Sequence, residues 1–260
     1  MDTGFKSKIK DAVFTFLRFA NPTLQNGANI LMYHSIGTNR AFFTVSPYQF
    51  ERQLSYLVEN DYRIVRLSEL VDRVHEEGDL GKCVCLTFDD GYLDNYAEAF
   101  PLLKKYDAHA TIFIVTGLIG KEMTNSEKVT LPLMNVSQMK EMRASGLVDF
   151  MPHTHTHPVL SAISHEKACD EIVKSQTFLE DLFPDRANIF AYPKGVYTKE
   201  VVNFLKKREF KAAVGVTEGL VHVDDNLFLL KRNSIDSSTT FAQFKGKLEA
   251  IDSYQKLKRR

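Results

Sequence analysis

Cys83-Val-Cys-Leu-Thr-Phe-Asp-Asp-Gly91 is an apolar run that ends in two adjacent carboxylates and a glycine. Residues 83–88 read as a strand, which places Asp89 and Asp90 at its C-terminal end. Neighbouring side chains on a regular strand point to opposite faces. The two carboxylates therefore reach one site only if the strand breaks there, and Gly91 permits that break. Asp-Asp-Gly is also ordinary turn chemistry, because Gly supplies positive φ and Asp hydrogen-bonds its own backbone.

Outward from this stretch, strand-like and helical patterns alternate. Strand-like runs fall near 29–34, 63–66, 83–88, 109–115, 147–152, 188–192, 211–216 and 227–231. Helical patterns occupy 47–60, 68–77, 94–106, 137–145, 164–182, 198–208 and 239–256, with Ser68 and Ser137 as helix starts. Such alternation predicts a parallel sheet with crossover helices. Seven or eight units within 260 residues favour one closed or nearly closed barrel. The insertion at 117–135 is a candidate rim loop. In βα barrels the active-site groups come from the C-terminal strand ends. His34 ends the first strand, Asp89 and Asp90 the third, His153 to His157 the fifth and Tyr192-Pro-Lys-Gly195 the sixth. The chemically able residues thus share one predicted rim.

Phe150-Met-Pro-His-Thr-His-Thr-His-Pro158 holds three of the eight histidines. In an extended segment they would lie on one face. Two imidazoles and one carboxylate, with a position left for water, are a common catalytic zinc set. Asp90, His153 and His157 are accordingly candidate ligands of a divalent metal; zinc leads, with cobalt, nickel and iron open. Asp89 is then free to act as general base towards water. An amide leaving group needs a proton, and His34 is the best candidate acid, since imidazole titrates near neutrality. A backbone N–H near Lys194, beside Gly195, is a candidate oxyanion donor.

Composition narrows the class. Apolar residues make up 44%, enough for a core, and a formal net charge of zero argues against a nucleic-acid footprint. Three cysteines without a Cys-x-x-Cys suggest a reducing compartment, and Cys83 and Cys85 read as packing residues. No run reaches the roughly 20 apolar residues of a membrane span. Lys8, Lys10, Asp11 and Arg18 interrupt the N-terminal apolar residues, so no signal peptide is read and a cytoplasmic location is expected. Residues 4–20 form an amphipathic pattern through Phe5, Ile9, Val13, Phe16 and Ala20, with Lys6, Lys10 and Arg18 between them. That helix either packs across the domain or lies peripherally on a membrane surface, where the basic end at 256–260 would help. The expected organisation is an N-terminal helix and linker at 1–27 followed by a barrel domain at 28–260.

Leu86-Thr-Phe-Asp-Asp-Gly91 followed by His153-Thr-His-Thr-His-Pro158 resembles the polysaccharide deacetylases with a NodB-homology domain, carbohydrate esterase family four. The resemblance covers about residues 28–250 and implies a distorted (β/α)7 barrel in a single catalytic domain. It implies Asp89 as base, Asp90 with His153 and His157 as metal ligands, and no ligand role for His155, which falls at a variable position. Ile30-Leu-Met-Tyr-His-Ser-Ile36 and Val45-Ser-Pro-Tyr-Gln-Phe50 are similar to the branch of poly-N-acetylglucosamine deacetylases. In that branch the barrel is circularly permuted and the histidine, here His34, is the acid. Phe190-Ala-Tyr-Pro-Lys-Gly195 resembles its third motif, implying a groove and oxyanion role for Tyr192, Pro193, Lys194 and Gly195.

Two departures stand out. The arginine that orients the family's base is absent from 188–195, which leaves Arg232 as a candidate, and the chain has no Trp to line a groove. His222, in a loop before Asp224 and Asp225, is not read as the acid. The expected reaction is removal of an N-acetyl group from an amino sugar, in a glycan or a lipid-linked saccharide. Alternatives are a deformylase or other non-peptide C–N amide hydrolase on the same scaffold, and a glycan-binding pseudoenzyme.

Overall fold

The computed structural model describes residues 3–20, 27–125, 127–183 and 187–259, without the side chains of Thr3 and Phe5. Among the described residues, seven short parallel strands line the barrel wall, β1 (Asn29–Tyr33), β2 (Cys83–Phe88), β3 (Ala110–Ile114), β4 (Val148–Pro152), β5 (Ile189–Ala191), β6 (Ala212–Val214) and β7 (Asn233–Ser234), and the two-residue strand Arg63–Ile64 pairs in parallel with the start of β2. The hydrogen-bonded order runs β7-β1-β2-β3-β4, and β5 pairs separately with β6. A parallel bridge between Val214 and Leu230 links β6 to the segment that leads into β7. Among the described residues no ladder joins β4 to β5, and β6 reaches the segment before β7 through that bridge alone, so the barrel is distorted.

Side-chain alternation sorts the wall into two layers. Leu31, Tyr33, Leu86, Phe88, Ile112, Ile114, Val148 and Phe150 face outward. They pack against α2 (Pro47–Glu59), α4 (Phe100–Lys105), α5 (Val136–Ala144), α6 (His165–Leu182) and α8 (Phe241–Glu249). Ile30, Cys83, Cys85, Phe113, Met151 and Ile189 form the inner layer with α3 (Leu67–His75). Both strand cysteines are buried there, as packing residues. α7 (Lys199–Lys207) covers β5 and β6 through Val201 and Leu205.

Several expected elements shift. The strand read at 227–231 is a 3-10 turn over Leu227–Leu229, and pairing falls later, at β7. Asn226 causes the shift by accepting a hydrogen bond from the Phe228 N–H, which turns the chain before it can extend. The helix read at 94–106 begins as a π-type turn at Asn95–Ala99 before α4, since Pro101 has no N–H to continue one regular ladder. The helix read at 239–256 breaks at Ala250 into α8 and α9 (Ile251–Lys258). Asn135, in a capping box with Gln138, starts α5 instead of Ser137. The insertion at 117–135 carries an antiparallel hairpin, Glu122–Thr124 with Thr130–Pro132. Its return strand lies over the Asp-Asp-Gly turn, where the Met134 N–H donates to the Gly91 carbonyl.

Helix α1 (Thr3–Ala20) docks on α8 and α9. Phe14 is fully buried, stacked on Tyr254 with ring centroids 4.5 Å apart. Asp11 accepts from Thr240 and Gln243 at 2.7 Å, and the Arg18 Nε donates to Glu249 at 2.6 Å. The docked face is therefore centred on Phe14, whereas Ile9, Phe16 and Ala20 of the expected apolar face are exposed and Val13 is half-buried. The Phe5 side chain and residues 21–26 of the expected linker lie outside the described residues. No helix among the described residues is long and apolar enough to cross a membrane.

Candidate active site

The inward series Cys85, Thr87, Asp89 keeps the period of β2, and then the chain turns. Asp90 (φ 73°) and Gly91 (φ 81°) both take left-handed backbone, so the alternation fails at the residue where two carboxylates must converge. A Cβ on Gly91 would sit 2.6 Å from the Ile114 Cδ1, so the turn also needs the missing side chain. Asp90 is buried, and its Oδ1 has no hydrogen-bond partner.

The histidine stretch is not extended. Thr154 (φ 66°) and His157 (φ 62°) are also left-handed and fold it into a loop. The His153 and His157 Nε2 atoms come within 3.7 and 3.5 Å of the Asp90 Oδ1. His155 turns away: its Nδ1 lies 3.0 Å from the Thr116 hydroxyl, and its carbonyl accepts from the Gly117 N–H at 2.7 Å. It clamps the loop after β3 to the loop after β4, so the three histidines do not share one face.

Supports for this loop come from residues that carry no local signal in the sequence. Glu171, on α6, accepts from the His155 N–H at 2.9 Å, and from the N–H and hydroxyl of Thr156 at 2.6 and 2.8 Å. The His153 Nδ1 meets the Ala191 carbonyl at 2.8 Å, which makes that nitrogen the protonated one and leaves Nε2 as a bare acceptor facing Asp90. Burial lowers the His153 pKa to about 4, so the ring is neutral at physiological pH. Tyr92 lies beside Asp90, and burial together with that charge pushes its hydroxyl far above the usual range.

Asp90, His153 and His157 fit a divalent cation. Their donor atoms all lie within 4.8 Å of one another. Two donors at about 2.0–2.2 Å from one tetrahedral ion sit at separations close to those on either side of Asp90. An orphaned buried carboxylate oxygen facing the bare His153 Nε2 is otherwise costly.

Asp89 is held differently. The Arg232 Nη1 and Nη2 donate to its two oxygens, each at 2.7 Å, in a fully buried fork. The Arg232 Nε donates to the Gly215 carbonyl at 2.8 Å, and its guanidinium lies over the Phe113 ring. Burial alone would raise the Asp89 pKa. The Arg232 charge, the nearby His153, the Arg232 hydrogen bonds and His34 outweigh it and hold the carboxyl well below the usual range.

His34 follows β1 on the same rim, its ring 5.2 Å from that of Phe43, and Asn95 donates to its carbonyl at 2.7 Å. In the 192–195 turn, Tyr192 and Pro193 are buried and Lys194 is exposed. The Tyr192 hydroxyl donates to the Phe228 carbonyl and supports the turn from behind. Lys194 (φ 56°) and Gly195 (φ 69°) are left-handed, and a Cβ on Gly195 would lie 2.3 Å from Val216. The glycine thus serves close packing on Val216, and its N–H is bonded to the Tyr192 carbonyl within the turn. His222 lies at the opposite end of the barrel, its Nε2 2.8 Å from Asp252 and its neighbour Val221 bridged to Ala28.

A parallel-stranded barrel with an acidic pair and a folded histidine loop on its C-terminal rim defines a class of hydrolase. The polysaccharide deacetylase family matches residues 76–213. YxkH of Bacillus subtilis, a putative polysaccharide deacetylase, is 30% identical over 223 residues, which span 85% of this chain and 76% of that protein. The poly-beta-1,6-N-acetyl-D-glucosamine N-deacetylase of Staphylococcus aureus (strain MRSA252) is 28% identical over 212 residues, covering 78% of this chain and 72% of its own. The structure of the Streptococcus pyogenes deacetylase PplD in complex with acetate superposes with a TM-score of 0.75 at 29% identity, over 86% of this chain and 98% of that one. The chain belongs to the polysaccharide deacetylase family, whose members hydrolyse non-peptide C–N amide bonds.

Proposed function

We propose that this protein removes the N-acetyl group from an N-acetylated amino sugar of a glycan, with Asp90, His153 and His157 holding a divalent metal, zinc first among the candidates. The observation that carries the reading is the orphaned Asp90 Oδ1 between two imidazole nitrogens at 3.7 and 3.5 Å. A divalent metal bound there brings the pKa of water down to about 7 and polarises the amide carbonyl. Asp89, kept ionised and fixed in orientation by Arg232, takes a proton from the attacking water. His34, on the facing loop, gives a proton to the amine nitrogen as the C–N bond breaks. The products are acetate and the free amine. The Lys194 N–H, at the left-handed position of the 192–195 turn, is the candidate donor to the developing oxyanion.

The test is acetate release from β-1,6-linked N-acetylglucosamine oligomers, with metal content measured on the same preparation. Release should stop on chelation and return when a divalent metal is added back. His153→Ala should lose both metal and activity. Metal-free wild-type protein that still releases acetate, or unchanged metal in His153→Ala, would overturn the metal assignment. Metal-loaded protein that leaves these oligomers intact but releases formate from an N-formylated amino sugar would overturn the acyl assignment.

A further inference from the structure

The face of α1 turned away from the barrel is apolar, and nothing in the described fold covers it. Ile9 is 49% exposed, Phe16 70% and Phe19 80%, and Ala12 and Ala20 are exposed between them. The positions 9, 12, 16, 19 and 20 make one continuous stripe at helical spacing. The polar residues Ser7, Asp11 and Arg18 point the other way, into contacts with α8. A packing helix ordinarily buries its apolar stripe, whereas α1 packs through Phe14 and Leu17, turns Asp11 and Arg18 inward and leaves the stripe open.

Among the described residues, the exposed charges of α1 and of the end of α9 are cationic. Lys6 and Lys8 are exposed on α1, and Lys256, Lys258 and Arg259 are exposed at the end of α9 beside Leu257, itself 53% exposed. Lys258 of α9 lies close enough to Lys10 to act on its charge, as do Lys247, Glu218 and Asp236. The nearby acids of the described residues are engaged internally: Asp11 with Thr240 and Gln243, Glu249 with Arg18 and Tyr56, Glu218 with Lys247, Asp252 with His222, and Asp236 with Ser238 and Thr239. The chain as a whole carries no net charge, so this concentration is local.

We propose that the outer face of α1 seats on an anionic lipid surface, with Phe16 and Phe19 entering the acyl boundary and the lysines meeting the headgroups. An apolar stripe flanked by cations and free of unpaired acids is the signature of an interfacial helix. A protein partner would need only the apolar stripe and gives no reason for the one-sided charge. The inference is independent of the reaction assigned to the rim, since none of these residues belongs to the site.

The full chain is to be sedimented with vesicles of phosphatidylcholine alone and of phosphatidylcholine mixed with phosphatidylglycerol. Binding should require phosphatidylglycerol and weaken with salt. Phe16→Ser with Phe19→Ser should weaken it about a hundredfold, roughly tenfold for each phenylalanine lost from the apolar boundary. Lys6→Gln with Lys8→Gln should weaken it about thirtyfold at low salt. Both side-chain pairs are solvent-exposed, so an unchanged melting temperature should show that the variants fold. Absence of phosphatidylglycerol-dependent binding, or binding that the phenylalanine substitutions leave intact, would overturn the proposal. So would a dimer in solution that those substitutions abolish while vesicle binding is missing, since the face would then belong to a second copy.

Discussion

Asp89 and Asp90 are adjacent in sequence, buried together and held by opposite means. Asp89 is saturated by a guanidinium, while one oxygen of Asp90 meets no donor at all. The two should therefore fail differently when altered. Asp89→Asn should lower acetate release by about 10²–10⁴ while retaining metal. It should also lower stability, because the buried Arg232 charge loses its partner, a cost of about 3–5 kcal/mol. Activity assays, metal analysis and thermal melting on one preparation check all three outcomes. Asp94 gives a pH test away from the metal ligands. It accepts from the Ser35 hydroxyl at 2.5 Å and from the Ile36 N–H at 3.2 Å, yet burial raises its pKa to about 6. The fold thus favours its protonated form. That stabilisation is complete below the usual carboxylate pKa and is lost as pH rises through about 6. The melting temperature of Asp94→Asn, relative to wild type, should improve between pH 5 and pH 7. A difference that stays constant across this window would contradict the assignment.

At the scale of elements, the loop from His153 to His157 depends on a helix that begins after it. Glu171 of α6 gathers three donors from two consecutive residues of the loop. Its removal should free the loop without touching a ligand atom. Glu171→Ala should weaken metal affinity about 10–100-fold, the usual range for loss of an outer support, as read by competition with a chelating dye. Glu171→Gln, which keeps an acceptor oxygen, should recover part of that loss. The helical and strand periodicities marked most of these elements in the sequence. The closing strand and the break at Ala250 were not marked, because each is decided by a local turn or by packing. The outward stripe of α1 was visible as a pattern, but its direction was not. Phe14, outside that pattern, found the socket formed by Leu220, Ala250 and Ile251.

For the whole molecule, the barrel brings residues from five separate stretches, His34, Asp89 with Asp90, the histidine loop, the 192–195 turn and Arg232, to one end. Metal binding to these preformed ligands should raise the melting temperature. At a hundredfold excess over Kd the gain is about 2.7 kcal/mol, and His153→Ala should abolish it. The amino-acid sequence alone determined the alternating architecture, because burial imposes period two on strands and 3.6 on helices. It also determined the identity of the acidic pair and the histidines, because ligand chemistry restricts residue type. Only the tertiary structure decided which histidines converge, since left-handed backbone at Asp90, Thr154 and His157 is stabilised by contacts from distant segments. It likewise decided that Arg232 holds Asp89, a pairing across 143 residues that exists because β7 closes the barrel beside β1.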